Sequence, residues 1–198
     1  MKIRDNHKGE TCVVIANGPS LADVPNEFLG SYITFGVNKI WLKEFSPTYY
    51  IATDPWMNSY SRQMKAMRCR EYFLKESFCT SVGGAVPPKS VLQDTPEGLW
   101  KGRWTVIFPC LQLAHFMGFE TVLLVGLDHT GSETHFHPSY NVWVAKRTYR
   151  FNCEGANKSF QVCRDEYEKS GRRIINLTPG SKCEIFEKQD IKLWQTHI

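Results

Sequence analysis

Three of the six histidines in this chain fall within nine residues, His129, His135 and His137, in the stretch Leu127-Asp128-His129-Thr130-Gly131-Ser132-Glu133-Thr134-His135-Phe136-His137-Pro138. An imidazole, with a reference pKa of about 6.5, is suited to taking a proton from a hydroxyl near neutral pH. A metal site is a weaker reading, because His-x-His on a Pro-flanked loop, even beside Asp128 and Glu133, lacks a clear third and fourth ligand. No metal ligand is therefore assigned. Solvated loop histidines are the bland alternative to a general base. A second group is polar and recurs at regular places: Asn17-Gly18-Pro19-Ser20, then Asn38, then Asp54. Side-chain amides offer both donors and acceptors, which suits a nucleobase or a ribose. A third is Arg103-Trp104-Thr105, where a guanidinium and a hydroxyl could meet a phosphate or carboxylate.

These residues need elements that bring them together. Cys12 to Ala16, Tyr32 to Val37, Thr48 to Thr53, Thr121 to Gly126 and Arg173 to Leu177 are short apolar runs rich in β-branched and aromatic residues. Strands buried on both faces of a parallel sheet read this way. Each run ends in polar or turn-forming residues, so Asn17, Asn38, Asp54, Asp128 and Thr178 all fall at strand carboxyl ends, the edge at which open α/β sheets bind ligands. Gly18 would let a ligand approach the backbone, Pro19 fixes φ, and Ser20 is placed to cap a helix starting at Leu21, although a plain tight turn also explains Gly-Pro-Ser. Asp54 before Pro55 is either a helix cap alone or a cap that also touches ligand. Glu71 to Leu74 and Phe78 to Ser81 read as short strands, Trp56 to Cys69 as a helix, and 82–101 as a long functional loop or surface excursion. Arg103 opens an almost wholly apolar helix that Gly118 closes, and its first turn should face the ligand edge. Lys158 to Lys169 reads as a helix, and Cys183 to Trp194 as a short closing one. The expected fold is a single α/β domain over 1–198. It is a Rossmann-like open, mostly parallel sheet with helices on both faces, and a lid insertion at about 129–157 follows the strand ending near 126.

Asn17-Gly18-Pro19-Ser20-Leu21 with Phe35-Gly36-Val37-Asn38 resembles the bacterial CMP-sialic acid sialyltransferases of the Campylobacter type. It is also similar to the related MptE-like family of archaeal 6-hydroxymethyl-dihydropterin pyrophosphokinases and flagellin motility-accessory glycosyltransferases. The resemblance covers about residues 12–186. It implies that Asn17, Gly18, Ser20 and Asn38 line a nucleotide site, that Arg103 and Thr105 open the corresponding helix near the phosphate, and that Thr178 sits near the nucleotide. Val125-Gly126-Leu127-Asp128 matches that family's strand end before the insertion carrying its catalytic histidine, so His135 and His137 become the candidates, and the sequence does not choose. The tyrosines that follow the family's Asp are replaced by His129 and Thr130, with Tyr140 or Tyr149 as substitutes.

The chain has 198 residues, 42% hydrophobic and 13% aromatic, enough to bury roughly 70% of its unfolded surface. A formal net charge of +4, without a basic block, favours a small anionic ligand over nucleic acid. No apolar run could span a membrane and no signal peptide is seen, so a cytoplasmic protein is expected. Seven scattered cysteines without a C-x-x-C pair read as thiols in a reducing compartment. Asn141 to Asn157, aromatic and basic, could stack a sugar or pterin, or cover a contact in a homo-oligomer. The leading expectation is a nucleotide-dependent transferase, a sialyltransferase-like glycosyltransferase that takes a CMP-activated sugar and a small-molecule or glycan acceptor and requires no cofactor. The alternative is a pterin pyrophosphokinase using ATP and Mg, with Asp54 and Asp128 as metal ligands. A nucleotide-binding protein without activity is the third.

Overall fold

A computed structural model describes residues 3–76, 79, 82–86, 100, 104–131, 134–140 and 146–195, the last segment without the side chains of 146–152. All of the expected strand at Phe78 to Ser81 except Cys79, most of the 82–101 segment, Arg103, and the lid side chains Trp143, Lys146, Arg147, Tyr149, Arg150 and Phe151 lie outside the described residues.

Among the described residues seven strands form one sheet: β1 (Thr11–Ile15), β2 (Ile33–Val37), β3 (Tyr49–Ala52), β4 (Glu71–Leu74), β5 (Thr121–Val125), β6 (Arg173–Asn176) and β7 (Glu187–Lys188). Their order is β4-β3-β2-β1-β5-β6-β7, and every pairing is parallel. The fold is the α/β, Rossmann-like architecture expected. The chain builds outward from β1 to β4, then returns to the other side of β1 and builds the remaining half, so the topological switch point lies between β1 and β5.

Alternation along the strands sorts side chains onto two faces. Cys12, Val14, Phe35, Val37, Tyr49, Ile51, Phe73, Val122 and Leu124 face a layer containing α3 (Ile107–Phe116) and α4 (Lys146–Lys169). Val13, Ile15, Tyr50, Ala52, Leu74, Leu123, Val125 and Ile175 face the other way, onto α1 (Asn26–Gly30), α2 (Ser61–Ala66) and short 3-10 segments at Pro19–Asp23, Ile40–Lys43 and Pro55–Tyr60. With both faces covered, the strands are as uniformly apolar as they read.

Helix directions determine what reaches the carboxyl edge. The end of α3 is pinned at the amino edge, where His7 and Gly9 donate to the carbonyls of Met117 and Gly118 at 2.8 and 3.2 Å. Its ten residues then rise about 15 Å, roughly the height of a five-residue strand, and bring its first turn to the opposite edge. The 24 residues of α4 span about 36 Å and also finish at the amino edge, entering β6. Its early turns therefore stand beyond the carboxyl edge. The C-terminal helix expected over Cys183 to Trp194 is not what forms. Glu187–Lys188 pairs with β6 and a 3-10 turn covers Ile191–Trp194, because the sheet edge offers Glu187 and Lys188 backbone partners that an isolated short helix lacks.

Candidate nucleotide site at the strand ends

The turns after β1 and β5 meet at the switch point. Ala16 and Gly18 donate to the carbonyls of Val125 and Gly126 at 2.9 and 2.8 Å. One carboxylate then spans the gap. Asp128 accepts the Ser20 hydroxyl at 2.8 Å and its backbone N–H at 3.2 and 3.3 Å. Ser20 does not cap a helix: the capping position of the Pro19–Asp23 segment is Gly18, which has no side chain to bond, and the Ser20 hydroxyl is turned to Asp128. Gly18 is the residue that permits this, since a Cβ there would lie 2.1 Å from Asp128 Oδ2 and 2.6 Å from the Gly126 carbonyl oxygen. Thr178, buried after β6, accepts the Leu127 N–H on its Oγ1 at 2.9 Å.

One strand over, β1 and β2 place Asn17 and Asn38 on the same edge. Asn17 Nδ2 donates to the Val37 carbonyl at 3.1 Å and to the Tyr140 hydroxyl at 3.0 Å. Asn38 Nδ2 donates to Asp54 Oδ2 at 3.3 Å, and its amide also reaches the Tyr140 hydroxyl. The Val37 carbonyl and the Asp54 carboxylate can only accept, so each amide nitrogen is oriented and each Oδ1 is left as an acceptor. Among the described residues neither Asn17 Oδ1 nor Asn38 Oδ1 has a hydrogen-bond partner, although both are sealed from solvent. Buried acceptors are nearly always satisfied in proteins. Asn38 adopts φ 45°, a left-handed conformation that Asn tolerates better than most residues. Asp54 starts the Pro55–Tyr60 segment without a side-chain cap bond, its carboxylate turned to Asn38 instead. Burial pushes that carboxyl above its ordinary value, against the pull of the Asn38 hydrogen bond and the Lys75 charge.

The sequence does not single out Lys39, and it offers Tyr140 only as one of two substitutes for the tyrosines that the resemblance implies. Tyr140 is 3% exposed in the 3-10 turn Pro138–Tyr140, and burial raises its phenol so that it stays neutral. Lys39 is 4% exposed. Its Nζ donates to the Tyr140 carbonyl at 2.7 Å and lies 4.5 Å from the Tyr60 ring centre and 5.5 Å from those of Trp56 and Tyr140.

The histidines separate into three environments. His135 stacks on Tyr140 with ring centres 3.9 Å apart and planes at 4°. His137 Nδ1 accepts the Ser139 N–H at 3.0 Å. His129, at φ 53°, turns to α4, where its Nε2 lies 3.1 Å from the Cys153 carbonyl; burial lowers its pKa, while the bonds to Cys153 and Asn157 pull the other way. Thr105 Oγ1 accepts the Ile107 N–H at 3.2 Å at the start of α3. Beside it Trp104 packs against α4 at Gly155, where a Cβ would sit 2.6 Å from the indole. Asn17, Asn38, Asp54, Tyr140 and His135 thus form one contact chain, Ser20 and Asp128 a clasp across the switch point, and Thr178 a brace behind it. Among the described residues no group of three or more His, Cys, Asp or Glu side chains could hold a metal ion, and no helix is long and apolar enough to cross a membrane.

The fold is similar to that of the sialyltransferase CstII from Campylobacter jejuni in complex with a substrate analogue, cytidine-5'-monophosphate. The TM-score is 0.58 at 12% identity, over 91% of this chain and 85% of that one. The same enzyme in complex with CMP-3FNeuAc gives a TM-score of 0.55 at 12% identity, over 90% and 84%. No protein-family model matches the chain, and no curated protein matches it.

Proposed function

We propose that this chain is a sialyltransferase-like glycosyltransferase that takes a CMP-activated nonulosonic acid as donor and transfers the sugar to a hydroxyl acceptor. The observation that carries the reading is the pair of buried, unpartnered amide oxygens on Asn17 and Asn38 at adjacent strand ends. A nucleoside supplies donors for such acceptors, through its ribose hydroxyls and the exocyclic amine of cytosine. The likeness of fold to a sialyltransferase seen with CMP and with a CMP-sugar supports the same choice. Asn17, Gly18, Ser20, Asn38 and Asp54 hold the nucleotide in this reading, with Asp128 and Thr178 fixing the surrounding turns. Arg103 and Thr105 meet the phosphate or the sugar carboxylate.

His135 is the base. His137 Nδ1 already accepts the Ser139 N–H, so the neutral ring carries its proton on Nε2 and has no free acceptor nitrogen. His135 removes the proton of the acceptor hydroxyl as that oxygen bonds to the anomeric carbon. The bond from that carbon to the phosphate oxygen breaks with its electron pair leaving on CMP, and the anomeric configuration inverts. The step needs no metal. The ATP- and magnesium-dependent alternative would draw Asp54 and Asp128 to a cation, but both Asp128 oxygens already bond Ser20.

Thermal unfolding with CMP, CDP, UDP, GDP and ATP, each with and without magnesium, tests the assignment. CMP should raise Tm without magnesium, and Asn17→Ala should remove the response. Stabilisation by ATP with magnesium and not by CMP would replace this reading with the pyrophosphokinase. For the base, His135→Ala should abolish transfer from a CMP-sugar while sparing CMP binding, and His137→Ala should retain transfer. The reverse pattern overturns the choice.

A further inference from the structure

We propose that Lys39 is a positioning residue for His135: its caged ammonium holds the Pro138–Tyr140 turn down on the end of β2, and the Tyr140 ring in turn sets the plane of the imidazole. Lys39 follows Asn38 directly, so the strand end that presents an amide to the site also presents this cation. The side chain is buried, and among the described residues no carboxylate forms an ion pair with it. A buried ammonium must find its compensation elsewhere. Here it comes from three aromatic faces, those of Trp56, Tyr60 and Tyr140, and from a 2.7 Å hydrogen bond to the Tyr140 carbonyl. A cation over aromatic rings is attracted by their negative faces, most strongly when desolvated.

The contact has direction. Trp56 and Tyr60 belong to the segment after β3, whereas Tyr140 comes from the loop after β5, so the ammonium ties two separate parts of the chain together. Tyr140 is then held at its carbonyl by Lys39, at its hydroxyl by Asn17, and at its ring by the parallel, stacked His135 at 3.9 Å. The rings of His135 and Tyr140 stack in parallel, and the turn that carries Tyr140 is tied to the end of β2 through its carbonyl. The inference rests on the proposed role of His135 for its catalytic meaning. The geometric part, that Lys39 fixes the His135 ring, stands or falls by itself.

The test reads the imidazole first. Stacking on Tyr140 should move the ring protons of His135 upfield, a ring-current shift visible by proton NMR and assignable by its loss in Tyr140→Leu. Lys39→Met, which keeps the aliphatic stem and removes the charge, should lose that shift, and Lys39→Arg should keep most of it. With transfer from a CMP-sugar as a second readout, Lys39→Met should lower kcat at least tenfold while the Kd for CMP changes less than threefold. Should Lys39→Met not fold, Lys39→Gln, too short to reach the carbonyl, gives the same decision. An unchanged His135 shift in a folded variant overturns the proposal. So does a tenfold loss of CMP affinity with the shift intact, which would make Lys39 a ligand contact. A lost shift in a protein that transfers from no CMP-sugar, even unmutated, would retain the positioning role and reject the glycosyltransferase reading.

Discussion

Asp128 accepts both the hydroxyl and the backbone N–H of Ser20, joining two turns 108 residues apart across the point where the sheet changes direction of growth. This contact places Gly18, and the Asn17 before it, at a fixed height above β1.

The clasp should appear as energetic coupling. Ser20→Ala and Asp128→Asn, measured singly and together by chemical denaturation, should show an interaction energy of about 1–3 kcal/mol, in the range for bonded neighbours. Purely additive effects would mean that the two turns are held by their backbone bonds alone.

Gly18→Ala should break the same contact from the other side. The added Cβ must displace Asp128 or the Gly126 carbonyl, and the expected loss is about 1–3 kcal/mol, as for other overpacked sites. For a chain of this size that lowers Tm by roughly 2–4 °C per kcal/mol. The thermal response to CMP should vanish with it.

Asn38 separates backbone from side chain. At φ 45°, Asn38→Gly keeps the backbone unstrained and removes the amide, whereas Asn38→Ala adds about 1–2 kcal/mol of left-handed strain. CMP affinity should fall about tenfold in both, and stability should fall further in the alanine variant. Equal affinity in Asn38→Gly and the parent chain would remove the amide from the site.

His129 gives a pH dependence of known sign. Burial holds its folded pKa below the ordinary histidine value, about 6.5, so just below that pH the unfolded chain binds the proton first. Its contribution is fully present above about 6.5 and is lost as pH falls toward the folded pKa. His129→Gln, which keeps an N–H for the Cys153 carbonyl, should show a shallower loss of stability from pH 7 to 5 than the parent, measured by urea unfolding at each pH.

Gly155 lies inside α4, where alanine would ordinarily add about 1 kcal/mol. The Trp104 indole lies where the new methyl would go, so Gly155→Ala should give no gain in Tm. Repeated in Trp104→Ala, it should recover the gain.

What could be read in advance was whatever is local. The strands announced themselves because both faces of the sheet are covered, and Asn17, Asn38, Asp54, Asp128 and Thr178 followed because a residue after an apolar run sits at a strand end whatever the sheet order. Lys39 did not stand out, because a lysine at the start of a crossover reads as solvated until Trp56, Tyr60 and a tyrosine 101 residues away surround it. In the sequence Tyr140 stands only as a substitute for absent tyrosines, and its contact with Asn17 spans 123 residues. The switch of Ser20 from cap to clasp depends on Asp128, which no local pattern around Ser20 contains. Glu187–Lys188 is too short to carry a period of two, so only the neighbouring strand defines it.

The middle of this sheet is assembled from distant parts. β1 gains its second neighbour only when β5 arrives, more than a hundred residues later in the chain, and parallel pairing at such separation is slow to form. During synthesis the first four strands therefore leave the ribosome with β1 as an apolar, unprotected border, a template for pairing with another nascent chain. Productive assembly of this protein accordingly depends on how that border is shielded until Thr121–Val125 has been made.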